Sequence, residues 1–377
     1  MIAPSRLFAL VVVFVLTPTL VATEPFRYPE AKHGKAELRY IDHIPVLVVQ
    51  GSPEQIGEQE GALALKPASD LVKMVDVFVK KWGWERTYPA LLKMGAFMGP
   101  RFPPEHMAEI EAAAKASGWP RDLLVFANSL SDLSRIARCS AILIEPGRSA
   151  TGGMLFGRNL DWPPAGTLHE YPLLIVYKPA GKRAFASITY PGMVGVFSGI
   201  NDAGLALADL TVTSSKDGAL PLNPTGMPYT LALRRVLEEC ATVEEAEKLL
   251  RSFKRTVMHN VAICDPKHAA VFEITSRSLV VRPGLEGICC CTNHFRCDAL
   301  ATGKKCDRYD ALEKSRDLKK VTLGDVAKRL DAANQGPMTL QTMIFEPAEL
   351  RLHIALGAGP ATRLPLRTVE LKKLLAK

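Results

Sequence analysis

Apolar residues in the first third of the chain recur at spacings of three and four. "DLVKMVDVFVKKW", "PPEHMAEIEAAAKASG" and "PRDLLVFANSLSDLSR" all read as amphipathic helices. "IPVLVVQG" before them reads as a strand. Ser52-Pro53 then starts a helix, with the serine as N-cap and the proline at the first helical position. At Cys139 the pattern switches. "CSAILIEP", "MLFGRNLDW", "YPLLIVYKP", "RAFASITYP", "VGVFSGIN" and "GLALADLTV" are short apolar runs punctuated by Gly, Pro and Asn-Asp turns, which reads as strands. Two helices follow, "PYTLALRRVLEEC" and "TVEEAEKLLRSF"; Thr242 and Glu245 have the spacing of a capping box. Strands resume with "VMHNVAICDP", "AAVFEITS", "SLVVRP" and "GICCCTNHF". Helices around Cys306–Asp331 then precede a hairpin of "QTMIFEPAE" and "ELRLHIALG". The sum predicts an α+β protein, a layered αββα sandwich rich in antiparallel sheet. No internal repeat is visible.

Composition refines this picture. The chain has 377 residues and is 47% hydrophobic, which fits a globular protein of one large or two ordinary domains. Met1–Ala22 carries Arg6, an apolar run and a small-residue end, the pattern of a secretory signal peptide, so export is expected. The run is short for a membrane span and broken by Pro18. The organisation expected is a signal at 1–22, a helical segment at 23–138 and a catalytic region at 139–377. The net charge is +8, but its basic residues are scattered and aromatics make up 7%, which argues against nucleic-acid binding. There is no Gly-rich phosphate loop and no dinucleotide fingerprint, so no cofactor is expected.

Seven of the eight cysteines lie between Cys240 and Cys306. In an exported protein they are candidates for disulfides, Cys297 with Cys306 among them. Cys289, Cys290, Cys291, His294, Cys297 and Cys306 are candidate zinc ligands, and a non-catalytic metal or disulfide module is the rival to an enzyme. Adjacent cysteines on a strand face opposite ways, however, so those at 289–291 cannot converge on one ion.

Cys139 stands apart, at the head of a hairpin whose turn, "GRSATGG", is centred near Ala150. Pairing about that centre sets Cys139 opposite Asp161. Arg158, three residues from Asp161, reaches the same face only if the strand bulges, for which Gly157 is the candidate. A thiol attacks as thiolate and needs a base. No histidine lies in this stretch. A cut before Cys139 would free its own α-amine, whose ordinary pKa near ~8 suits that role.

"CSAILIEP…MLFGRNLDW" resembles the N-terminal nucleophile hydrolases that use cysteine. With "IPVLVVQGSPEQIGEQEG", "GINDAGLALADL", "CTNHF", "CDRYDALE" and "TMIFEPAELRLHIALG" in this order, the chain from about Glu37 resembles the isopenicillin-N acyltransferase-like autoproteolytic family. The resemblance implies the αββα sandwich of that class and self-cleavage between Arg138 and Cys139, giving an α/β heterodimer. It implies Cys139 as nucleophile and, through its amine, as base, with Asp161 holding that amine and Arg158 beside the thiol. Asn293 would donate to the oxyanion, and Arg308 would complete the polar network. The implied reaction is acyl transfer from a linear N-acyl amide to Cys139 and then to water, with transfer from a thioester or amide donor to an amine as the alternative. The sequence departs from the family pattern at Arg138, where a small residue is usual, at Ser140 in place of threonine, and at Thr211, where the bile-salt hydrolase group has a second asparagine.

Overall fold

The computed structural model describes residues 25–376 apart from 82, 84, 87, 136, 163–167 and 304. The signal peptide expected at 1–22 lies outside these. Among the described residues no helix is long and apolar enough to cross a membrane.

The chain opens with β1 (Ala31–His33), β2 (Ala36–Ile41) and β3 (Ile44–Gly51). Ser52 caps α1 (Pro53–Glu60) as its sequence predicts. The Ser52 hydroxyl accepts from the Gln55 N–H, and the Gln55 side chain accepts from the Ser52 N–H at 2.9 Å. Helices α2 (Asp70–Lys81), α3 (Tyr88–Met98), α4 (Pro104–Ser117) and α5 (Arg121–Leu133) follow. Gly118 ends α4 in the left-handed conformation, φ 78°. The switch then falls where the pattern changes. Strands β4 (Arg138–Ile144), β5 (Leu155–Asp161), β6 (Leu173–Pro179), β7 (Phe185–Thr189), β8 (Ser198–Asn201) and β9 (Ala206–Thr211) come in succession. Helices α6 (Tyr229–Glu239) and α7 (Val243–Ser252) lead to β10 (His259–Cys264), β11 (Ala269–Ile274), β12 (Leu279–Pro283) and β13 (Ile288–Cys291). At α7 the predicted box is half formed. Thr242 accepts from the Glu245 N–H, but the Glu245 carboxylate takes the N–H of Ala241, not that of Thr242. The remainder is α8 (Asp307–Glu313), α9 (Leu323–Ala332), β14 (Thr339–Glu346), β15 (Arg351–Leu356), β16 (Arg367–Glu370) and α10 (Leu371–Leu375).

The strands form two sheets. The larger has the order β1-β2-β3-β6-β7-β8-β9-β10-β11-β12, and the smaller β13-β4-β5-β14-β15-β16. Among the described strand pairs only β3–β6 is parallel. Three apolar clusters define four layers. Leu207, Tyr177, Val261 and Phe272 on the outer face of the larger sheet pack against Ile56, Ile110, Leu231 and Leu237 of the surrounding helices. Ala208, Leu174 and Ala262 on its inner face meet Ala141, Phe156, Met343 and Cys139 of the smaller sheet. Ile142, Leu155 and Ile344 on the far side pack on Leu312, Val326 and Leu330 of α8 and α9. This is the predicted αββα sandwich. Burying both sheets on both faces explains why the strands read as continuous apolar runs without polar alternation.

The helices before Cys139 are bound to the rest of the chain by a buried ionic cluster. Arg234 on α6 holds both oxygens of Glu109 on α4, at 2.7 and 2.6 Å, and its Nε holds Glu238 at 2.8 Å.

The pairing of β4 with β5 differs from expectation by one residue. Arg138 lies opposite Asp161, Cys139 opposite Leu160 and Ala141 opposite Arg158, without a bulge. The connection explains the shift. The Glu145 carbonyl accepts from the N–H groups of Arg148 and Ser149, which tightens the near side of the turn and moves the centre of pairing half a residue back. Arg158 therefore shares a face with Cys139 with no bend at Gly157. Gly157 serves packing instead: a Cβ there would lie 2.4 Å from Val326 Cγ1 and 3.1 Å from Leu330 Cδ1 of α9. Gly157→Ala must push α9 off the sheet. We expect a loss of ~1–3 kcal/mol, read as a lower denaturation midpoint with an unchanged transition slope.

Candidate functional site

Cys139 heads β4 with its side chain in the core between the sheets, 1% exposed. Opposite Arg158 stands Ala141, whose small side chain leaves room for a guanidinium. Arg158 is completely buried. Its Nη2 donates to Cys139 Sγ at 3.3 Å and to the Asp209 carbonyl at 2.9 Å, and its Nη1 donates to the Ser198 hydroxyl. The arginine thus comes from the smaller sheet and two of its three partners from the larger.

Asp161 ends β5, also fully buried. Its Oδ1 accepts from the Thr339 hydroxyl at 2.6 Å, and its Oδ2 has no hydrogen-bond donor. A break in the β5–β14 register between Thr339 and Gln341 brings Thr339 to this place. Burial pushes the Asp161 carboxyl up to about 6, against the opposing pull of Thr339, Arg308 and Arg158. Burial likewise pushes the Cys139 thiol up to about 11; Arg158 opposes the shift, and the carboxylates of Asp161 and Asp209 add to it. The uncut chain therefore holds a protonated thiol at neutral pH.

Asn293 lies just past β13, in a loop fixed by Asn260, whose Nδ2 donates to the carbonyls of Thr292 and His294. Asn293 Oδ1 accepts from the Cys139 N–H at 2.9 Å, and its Nδ2 donates to the Thr211 carbonyl at 2.7 Å. In this form its amide N–H is turned to a backbone carbonyl. Arg308, in the first turn of α8, donates to the Cys139 carbonyl at 2.7 Å and to Asn293 Oδ1 at 2.8 Å, and stands 3.6 Å from Asp161 Oδ2. Arg138, the other side of the expected cut, is exposed. The structure thus brings Cys139, Arg158, Asp161, Asn293 and Arg308 together. Thr211 contributes its carbonyl, so the side chain at that position is not what this network uses.

Ser198, Asp209 and Thr339 were not singled out from the sequence. Asp209 had a signal, being the one charged residue in the apolar run "GLALADLTV". Ser198 and Thr339 had none.

All eight cysteines are free, so the Cys297–Cys306 bridge is not formed; the Cys306 thiol instead lies 3.6 Å from the Thr292 hydroxyl. Cys289 and Cys291 turn into the inter-sheet core and Cys290 toward α8 and α9, as strand alternation requires. Among the described residues, three potential metal ligands gather only at Glu244, Asp265 and His268. There the Asp265 carboxylate already accepts from the N–H groups of Val243, Lys267 and His268.

Cys139 thus stands near the start of an inner strand of an αββα sandwich. Residues 148–360 match the family described as acyl-coenzyme A:6-aminopenicillanic acid acyl-transferase, and the chain belongs to that family. The matched segment includes Arg158, Asp161, Asn293 and Arg308 and begins after Cys139. An Archaeoglobus fulgidus protein described as uncharacterized is 26% identical over 281 residues, 65% of this chain and 45% of its own length. The Dictyostelium discoideum protein dcd1B is 26% identical over 156 residues, 41% of this chain and 30% of its own length. The chain thus spans less than half the length of these curated relatives. Among solved structures, a Caenorhabditis elegans N-acylethanolamine-hydrolyzing acid amidase ortholog is similar at 18% identity and a TM-score of 0.44, over 55% of this chain and 93% of that one. Penicillin V acylase from Agrobacterium tumefaciens is similar at 14% identity and a TM-score of 0.46, over 63% and 88%.

The state of Asp161 makes a pH-dependent prediction. A carboxyl whose pKa folding raises holds its proton more tightly in the native state. Its contribution to stability therefore falls as pH climbs from the unfolded value of ~4 through about 6. Thr339→Val removes the one hydroxyl that steadies the ionised form. Compared in a Cys139→Ala background, it should cost ~1–2 kcal/mol at pH 7.5 and clearly less at pH 4.5, by urea denaturation.

Proposed function

We propose that the protein is an exported, self-processing cysteine amidohydrolase that cleaves linear N-acyl amides. The observation that carries this reading is the 3.3 Å contact between Arg158 Nη2 and Cys139 Sγ, beside a buried Asp161 oxygen that lacks a donor. A buried guanidinium wants an anion, and the thiolate is the anion in reach. A buried carboxylate oxygen wants a donor, and Asp161 stands opposite Arg138, at the bond whose cutting would create an ammonium group.

In the first step Cys139 Sγ attacks the Arg138 carbonyl. The peptide C–N bond breaks, the thiol proton passes to the leaving nitrogen, and a thioester joins Arg138 to Sγ. Water hydrolyses it to the Arg138 carboxylate and the free thiol. The α-chain ends at Arg138 and the β-chain begins at Cys139, the two held by the Arg234–Glu109 pair. In turnover the Cys139 amine, oriented by Asp161, takes the thiol proton, and the thiolate attacks the substrate carbonyl. Asn293, released from its present contacts, donates to the tetrahedral oxyanion while Arg308 holds the strand end. The amine product leaves with a proton from the Cys139 ammonium, and water cleaves the acyl thioester. The family's name favours a second acceptor: an amine in place of that water makes the same site an acyltransferase.

Intact-mass analysis of the purified protein should find two chains meeting at Arg138–Cys139, and one uncut chain for Cys139→Ala. Asn293→Ala should lower cleavage of an N-acyl amide panel by ~10²–10³-fold. A wild-type chain as uncut as Cys139→Ala, with no product from the panel, overturns the reading.

A further inference from the structure

Two buried ionisable side chains take no part in these steps; they lie on the outer face of the larger sheet, behind the strand whose backbone meets Arg158. Asp209 lies on β9 and His259 opens β10. The two strands pair so that His259 faces Thr211, which makes Asp209 its diagonal neighbour on the same face. His259 Nδ1 is 2.8 Å from Asp209 Oδ1, with side-chain exposures of 4% and 2%. The Tyr229 ring covers the imidazole, centroid to centroid 4.7 Å. Asp209 thus does two things at once. Its carbonyl accepts from Arg158 Nη2, the nitrogen that also reaches Cys139 Sγ, and its carboxylate is gripped by His259. A burial this complete costs a carboxylate several kcal/mol unless it is answered, and His259 answers it together with the Tyr229 hydroxyl, which also bonds Asp209.

We propose that Asp209 and His259 form a positioning pair for the nucleophile: His259 pins Asp209, and Asp209 aims Arg158 at the Cys139 thiol. The inference rests on reading Cys139 as the nucleophile. Its logic is electrostatic as well as geometric. The Asp209 charge, on the far face of the sheet from the thiol, opposes thiol ionisation through the sheet, while a hydrogen bond from His259 draws that charge away. Removing the carboxylate and removing its histidine must therefore act in opposite directions. The other ionisable groups around the pair are Tyr229 on α6, Asp132 on α5 and Arg158 on β5, with Cys139 itself on β4. Asp132 is pushed up to about 7 by burial, so variants are compared at one fixed pH.

The test is the rate at which iodoacetamide alkylates Cys139 in the full chain at pH 8, quantified by mass spectrometry on the peptide that carries it. Asp209→Asn keeps the carbonyl and deletes the charge, and should alkylate about tenfold faster, equivalent to about one pH unit of thiol acidity. His259→Gln loses the donor at Nδ1 and should alkylate severalfold more slowly. His259→Asn, whose amide nitrogen can stand where Nδ1 stood, should return toward the wild-type rate. The double variant Asp209→Asn/His259→Gln should follow Asp209→Asn, because the histidine acts through the aspartate. Far-UV circular dichroism checks folding. If His259→Gln does not fold, the direction of the Asp209→Asn shift and the rescue by His259→Asn decide. A slower or unchanged Asp209→Asn, or a His259→Gln no slower than wild type, overturns the pair. Alkylation is compared between variants in the same state of cleavage, monitored by intact mass, so an uncut chain defeats the proposed activity while the ratio of rates among uncut variants still decides the pair.

Discussion

A guanidinium sealed between two apolar sheets has to be answered, and Arg158, paired through both Nη atoms, organises the centre of the molecule for that reason. Leaving such a charge uncompensated would cost several kcal/mol. Its partners are the Ser198 hydroxyl and the Asp209 carbonyl on one sheet and the Cys139 thiol on its own. The bonds cross the interface, so they fix how the two sheets sit over one another at this end. The fit depends on small neighbours: Ala141 across the strand, and Ala208 opposite Ser198 on the facing sheet. The position of Cys139 is thus a consequence of sandwich packing, held by the same contacts that hold the layers in register.

The layers themselves were legible in the sequence because burial on both faces leaves a plain mark. Runs such as "SAILI" and "GLALA" belong to no surface strand, and the helical spacing before Arg138 to no sheet. Caps were legible where they use local chemistry, as at Ser52. The hairpin was legible as a hairpin, yet its register was off by one residue, because a long connection is closed by backbone bonds from Glu145 that no residue identity announces. One step of register changes every facing pair. It moved Asp161 from Cys139 to Arg138, and it turned Gly157 from a presumed bulge into a seat for α9.

The candidate site divides along the same line. Cys139, Arg158, Asp161, Asn293 and Arg308 were reached through motifs that hold residue type and spacing within one segment. Ser198, Asp209 and Thr339 come from strands whose proximity to Cys139 is created by folding alone. Asp209 is the instructive case. A carboxylate inside "LALADLTV" is an energetic anomaly wherever that strand is buried, and an anomaly of this kind asks for a partner. Sequence posed that question; only the pairing of β9 with β10 supplies His259 as the answer.

In the uncut geometry the Cys139 nitrogen is a backbone amide with a single N–H, which goes to Asn293 Oδ1. That oxygen also receives Arg308, so the asparagine is fully engaged, and its own N–H faces Thr211. Asp161 Oδ2 meanwhile waits without a donor. On the proposed reading, cutting replaces one N–H by an ammonium with three. One proton suits Asn293, and another suits Asp161, whose carboxyl then has a cation beside it and drops below about 6. The same cation lowers the cost of a thiolate held at 3.3 Å from Arg158. On that reading a single broken bond would give the carboxylate its donor and arm a thiol that burial had silenced, so the two changes would have one cause.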